Sequence, residues 1–129
     1  MSVGSPEREM TSWTIREHVR FRDCDAMGHV NNAVFSTYLE QARVAIVGGL
    51  DTFIHARVEI DFRAELRAGE EIEIRSRCSR VGTKSFDLEH QILAGERLVA
   101  DAKSVLVGYD YERDESVPIT DELRRTLTT

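Results

Sequence analysis

From Phe35 to Ile46 the apolar residues recur every three or four positions. Phe35, Tyr38, Leu39, Ala42, Ala45 and Ile46 make one stripe of a helix. Most of the remaining chain keeps a period of two, the pattern of strands with one buried face. One long helix among strands restricts the fold severely. It covers only one sheet face, so the sheet must wrap that face around it and leave the far side to solvent or another subunit. Asn31 or Asn32 is the natural N-cap, because a short amide accepts from the free N–H groups of a first turn. Gly48-Gly49 ends the helix.

The strands follow from the alternation. Trp13, Ile15, Val19 and Phe21 fall on one face ahead of the helix, opposite Thr14, Arg16, His18, Arg20 and Arg22. After it, Ile54, Ala56, Val58, Ile60 and Phe62 alternate with polar residues, as do Ile72, Ile74, Ser76 and Cys78, and then Phe86, Leu88, His90 and Ile92. Leu98 through Tyr109 reads as a longer strand inside the sheet. Gly69, Gly82 and Gly95 mark the turns, and Pro118 introduces a short closing helix. The expected class is α+β: a curved antiparallel sheet of about five strands around one long helix. Residues 1–12 read as a loose leader and 13–129 as one domain.

With a formal charge of -6, the 129-residue chain is expected to repel nucleic acid and anionic lipid as a whole. An anionic small molecule then needs a local basic patch. No apolar span long enough for a membrane is present, the first residues lack a hydrophobic signal core, and the two cysteines, Cys24 and Cys78, make no disulfide framework. Free thiols suit a reducing compartment, so the expected location is cytoplasmic.

The stretch from Arg22 to Asn32, RDCDAMGHVNN, gathers two acids, a thiol, an imidazole and two amides around one glycine. Three chemistries are open to it. Cys24 with His29 would make a thiol nucleophile, which needs a placed base. Asp23, Asp25 and His29 would make a metal loop, although it has one imidazole and no tight zinc spacing. A single carboxylate beside a helix start needs neither. Such a carboxylate serves as general base or nucleophile, while the first N–H groups of the helix stabilise an oxyanion. Asp25 is also a natural turn residue.

The segment RFRDCDAMGHVNNAVFSTYLEQAR resembles the signature of hotdog-fold acyl-CoA thioesterases of the 4-hydroxybenzoyl-CoA thioesterase-like superfamily, in the branch whose helix begins His-Val-Asn-Asn. Phe62–Glu70, the Arg80–Phe86 hairpin and the tail containing Pro118 agree with it; Glu65 departs from it, standing where many relatives carry proline. The resemblance implies thioester hydrolysis without a cofactor, by homodimers or homotetramers whose sites lie at subunit boundaries. Carried onto this sequence, it makes Asp25 the catalytic acid and the backbone N–H groups around Asn32 the oxyanion donors. Gly28 then allows close approach of backbone to substrate, and Asp23 holds the loop. His29 has a capping, packing or substrate-orienting role. The related plant-type thioesterases have an Asn at the position of Met27, so their Asp-Asn-His constellation is not intact here.

Met27, Phe35 and Val34 are apolar candidates for an acyl chamber. For the CoA phosphates, Arg80 and Lys84 flank the Val81-Gly82-Thr83 turn with Ser85 beside them, and Arg63 with Arg67 forms a second patch. Either pair equally suits a solvated, charge-protected edge. Glu40, a possible catalytic carboxylate on the helix, is expected instead to pair with Arg43 at i,i+3. The 54–63 strand is too regular for a bare edge and is expected to pair with its copy across a two-fold axis. The alternative function is a non-catalytic domain that binds or senses acyl-CoA or acyl carrier protein. The His-Asp motif of hydratases on this fold is not found.

Overall fold

The computed structural model describes residues 12–48 and 52–128. The elements run β1 (Ser12–His18), a 3-10 turn (Phe21–Asp23), α1 (Asn32–Val47), β2 (Phe53–Phe62), β3 (Glu71–Val81), β4 (Ser85–Ala94), β5 (Arg97–Asp110), β6 (Glu115–Ser116) and α2 (Asp121–Leu127). The leader, apart from Ser12, and Gly49 lie outside the described residues. Among those residues no helix is long and apolar enough to cross a membrane.

The strands form one antiparallel sheet in the order β1-β3-β4-β5-β2, with β6 attached to β5 as a sixth, two-residue strand. Register stacks the apolar positions into rows. Ile15 stands opposite Ile74, Ile74 opposite Ile92, and Ile92 opposite Ala100. That row meets Phe35, Tyr38 and Leu39 of α1 in the main core. A second cluster joins Phe86, Leu88 and Leu106 to Ile46 at the far end of α1 and Leu127 of α2. α1 thus spans the sheet from one cluster to the other, and its start is left at one end of the sheet. Asn31 caps that start, accepting from the Ala33 N–H at 2.9 Å, and Gly48 ends the helix at φ 83°. Thr120 caps α2 through the Leu123 N–H.

Several sequence expectations are corrected. Phe21 is 87% exposed, because the chain leaves β1 after His18 and the 3-10 turn sends Asp23 inward instead. Ala45 falls at the edge of the helical stripe and is exposed, while Arg43 on the opposite edge is buried. Glu40 and Arg43 make no ion pair. Burial carries the Arg43 guanidinium inward, where its Nη1 has no hydrogen-bond partner among the described residues. That burial holds the Arg43 pKa below its ordinary value, partly offset by the nearby Glu40. In β2 the register shifts between His55 and Arg57, so Ala56 is an inserted residue. Strict alternation therefore fails there: Phe53 meets Phe86 in the core before the bulge, and Phe62 meets Phe35 after it.

Candidate active site

The 3-10 turn delivers the chain to the start of α1, and two acids divide the work of that connection. Asp23 is 5% exposed, and its Oδ2 accepts from the Arg20 N–H at 3.0 Å and the Tyr38 hydroxyl at 2.9 Å. Desolvation raises its pKa, but these bonds and the Arg20 charge outweigh it and leave the carboxyl below its usual value. Desolvation and the Asp23 bond push the Tyr38 hydroxyl well above its ordinary value. Asp23 therefore fastens the loop to the second turn of α1.

Asp25 is exposed, at the base of a closed turn. Its N–H donates to the His29 carbonyl at 2.8 Å, and its carbonyl accepts from Gly28 at 3.0 Å. Gly28, at φ 82°, supplies the left-handed residue that this turn requires. One carboxylate oxygen, Oδ1, accepts from the N–H groups of Met27 and His29 at 2.9 and 3.3 Å. The other, Oδ2, has no bond among the described residues. The carboxylate is thus oriented by one oxygen and open at the other.

At the helix start the Ala33 N–H is taken by the Asn31 side chain and the Val34 N–H by the Asn31 carbonyl. The Asn32 N–H has no such partner among the described residues, and it points from the positive end of α1. Asp25, His29, Asn31, Asn32 and Phe35 line one cavity of about 530 Å³ together with the segment Phe62–Leu66. That volume lies in the range of small-molecule sites. A larger groove of about 790 Å³ lies beside α2, and one of about 640 Å³ on the sheet holds Trp13 and Arg75. Neither contains the long helix's start, so size alone does not choose the site.

The structure brings together Asp25, His29, Asn32 and Phe35, with Gly28 in the adjoining turn. Met27 is 76% exposed at the turn and does not line the cavity. Arg80, Lys84 and Ser85 lie elsewhere. Ser85 pairs with Val107 while Phe62 pairs with Ala100, seven residues away along β5, roughly 23 Å at the rise of a strand. Arg80 Nη2 donates to Ser85 Oγ at 2.7 Å and Asp87 Oδ1 at 3.0 Å, and Lys84 Nζ to Ser116 at 3.4 Å. Of the second basic patch, Arg63 does line the cavity, bonded to Asp101, whereas Arg67 turns to Glu65. The Cys24 thiol makes a 3.8 Å contact to the Arg20 carbonyl and no other hydrogen bond among the described residues. Among the described residues no group of three or more His, Cys, Asp or Glu could hold a metal.

Sequence reasoning missed one contact at this cavity. Glu65 Oε2 lies 3.3 Å from His29 Nε2, inside the same cavity. The clue was present, an acid where the resemblance leads one to expect proline, but local periodicity has no means of pairing residues 29 and 65.

The profile described as the thioesterase-like superfamily matches residues 19–127. An uncharacterized protein of Bacillus subtilis strain 168, YsmA, is 29% identical over 119 residues, covering 84% of this chain and 80% of its own. A thioesterase from Thermus thermophilus, solved in complex with coenzyme A and Zn, is 33% identical with a TM-score of 0.80, over 88% of this chain and 90% of its own. A 1,4-dihydroxy-2-naphthoyl-CoA thioesterase from Synechocystis shares the fold, with a TM-score of 0.81 at 18% identity over 90% and 95% of the two chains. With its sheet-and-helix architecture and a profile match over most of its length, this chain belongs to the thioesterase-like superfamily of hotdog-fold proteins.

Proposed function

We propose that the chain is an acyl-CoA thioesterase in which Asp25 acts on a thioester held at the start of α1. The observation that carries the reading is the half-anchored carboxylate of Asp25 sharing one cavity with the unengaged Asn32 N–H. A thioester is an activated acyl group, and its leaving thiol has a pKa near 8.5 on the cysteine scale. Expelling the thiolate needs little help; attack and charge stabilisation at the carbonyl oxygen are the harder requirements. The free Oδ2 meets the first, taking a proton from water or adding to the carbonyl carbon as nucleophile. The Asn32 N–H, backed by the helix dipole, meets the second. Phe35 and Phe62, in edge-to-face contact at 5.1 Å, offer the acyl group an apolar wall. CoA as carrier is favoured by the complex of the Thermus relative with coenzyme A.

The reading includes self-association. β2 is an edge strand, with Val58 and Phe62 41% and 44% exposed. Pairing β2 antiparallel with its copy covers that edge. It also reverses the ends of the sheet, so that Arg80 and Lys84 of the partner subunit come to the end where this chain holds Asp25. Arg80 and Lys84, whose turn lies roughly 23 Å along the sheet from Phe62 within one chain, then become available to CoA phosphates across the boundary. Light scattering that gave a monomer at assay concentrations would remove both the pairing and the shared site.

One observation favours a second reading. The Met27 and His29 bonds to Oδ1 form an ordinary Asp turn, and a non-catalytic domain binding acyl-CoA or acyl carrier protein needs no more from Asp25. A thiol-release assay across short, long, branched and aromatic CoA esters, run beside direct binding measurements, separates the two. Thiol release with saturation supports the enzyme; saturable binding with no release at high protein concentration supports the binding domain.

A further inference from the structure

We infer that Glu40 and Arg43 form two reciprocal ion pairs with a second copy of this chain, closing the two-fold contact made by β2; the inference rests on the self-association reading above. Arg43 is 6% exposed, its Nη1 is sealed from solvent without a hydrogen-bond partner, and no carboxylate among the described residues pairs with it. Its charge acts on His55 and His90, two imidazoles that supply no negative charge in return. Glu40 lies one turn earlier, half-buried, and it too has no hydrogen bond or ion pair among the described residues. Within one chain it reaches Arg43 only as a nearby charge. A buried charge left without its opposite is strongly destabilising, so the folded assembly has to bring one.

The fold decides where that opposite charge can come from. Glu40, Arg43 and Val47 form one flank of α1, and they line a cavity of about 350 Å³ with Phe53, Ile54 and His55 of β2, the edge strand. The flank therefore faces the side on which a copy would join, and Val58, 41% exposed on that strand, leaves apolar surface to be covered there. An antiparallel pair made by one strand and its own copy has its two-fold perpendicular to the sheet. Both copies of α1 then stay on one face and run antiparallel. An axis level with Gln41 and Ala42 sets Glu40 against Arg43 of the partner subunit, and Arg43 against Glu40 of the partner subunit. Arg43 stands level with His55 and Phe35 with Phe62, so such an axis crosses β2 within its length and not at an end. The i,i+3 spacing is thereby self-complementary: one acid and one base per chain make two pairs.

The test is charge reversal and complementation in the full chain. Sedimentation velocity gives the association state and dissociation constant of the wild type, Glu40→Arg and Arg43→Glu, and circular dichroism checks that each is folded. The wild type is expected to self-associate. Each single variant sets like charges against each other twice, so its dissociation constant should rise roughly 100-fold or more. Mixing the two variants should restore association, because every Arg then meets a Glu on the other chain, and native mass spectrometry should find the mixed pair in excess over both homodimers. If Arg43→Glu does not fold, Glu40→Gln takes its place: it leaves Arg43 unpaired and should weaken association about 10-fold or more. A folded Glu40→Arg that associates as tightly as the wild type, or folded variants that fail to recognise each other, overturns the inference and leaves the β2 contact standing. A Glu40→Arg that stays associated while inorganic phosphate raises the melting temperature of the wild type assigns Arg43 to a small anion, and overturns it equally. A monomeric wild type removes the self-association reading and this inference with it.

Discussion

Tyr38→Phe removes one oxygen and leaves the ring packed, which makes it a clean measure of what fastens the Asp25 loop to α1. The Tyr38 hydroxyl donates to Asp23 Oδ2 at 2.9 Å in a setting where Asp23 is 5% exposed. A hydrogen bond to a buried charged group contributes about 1.5–3 kcal/mol. Asp23 keeps its bonds from Arg20, so the expected loss is about 2 kcal/mol. With a urea slope of roughly 1–3 kcal/mol per molar, the unfolding midpoint drops by about 1 M. Trp13, the single tryptophan, sits half-buried in β1 and reports unfolding by fluorescence; both proteins must be compared at one concentration, since self-association shifts apparent stability. The loss should depend on pH. The Asp23 pKa is lowered on folding from 3.8, so its contribution is present above 3.8 and fades as pH falls through the lower folded value. Once Asp23 is protonated the bond is a neutral one, and the gap between Tyr38→Phe and wild type should narrow. A midpoint within about 0.2 M of wild type near pH 7, or a gap that widens in acid, refutes the role given to Asp23.

His90 is 2% exposed between Ser76 Oγ at 2.7 Å and Ser104 Oγ at 3.2 Å, and burial, with the Arg43 charge adding to it, pushes its pKa down to about 4. The unfolded chain binds that proton more readily, so stability should fall between pH 6.5 and 4 by on the order of 3 kcal/mol; His90→Gln should flatten that limb in pH-dependent urea melts, and an unchanged slope contradicts the assignment. Gly108→Ala should destabilise by about 1–3 kcal/mol, because a Cβ there would stand 2.5 Å from the Val117 carbonyl oxygen, a backbone atom with little room to retreat; thermal melts equal to wild type would show that the Val117 segment gives way. Phe35→Ala, which empties a fully packed position between Tyr38 and Phe62, should cost about 3–5 kcal/mol in the same melts, and a loss under 1 kcal/mol would mean that the cavity wall collapses to fill the gap.

The fold was legible because its main signals are local. The period of three to four over Phe35–Ile46 and the alternation in β3 and β4 follow directly from which face each element buries. Local signals fail where the backbone breaks its own period. The inserted Ala56 changes the facing of β2 at a point where composition shows nothing unusual, and the turn after His18 sends Phe21 outward. The acid, imidazole and helix start of the candidate site were legible because they are neighbours in the chain. Arg80, Asp87 and Ser85 were not, since a cation near a turn reads the same whether it faces a phosphate or the Asp87 beside it on the next strand. The Glu65–His29 contact, joining segments 36 positions apart, required the fold itself.

The central claim concerns one negative charge, and Asp25→Asn isolates it. The amide oxygen of Asn can still accept from the Met27 and His29 N–H groups that hold the turn, so the variant removes the charge and keeps the loop. With the most active CoA ester from the panel, saturating kcat should fall by about 10²–10⁴-fold while the ester binds with near wild-type affinity. Near-full kcat in the folded Asn variant would contradict the account.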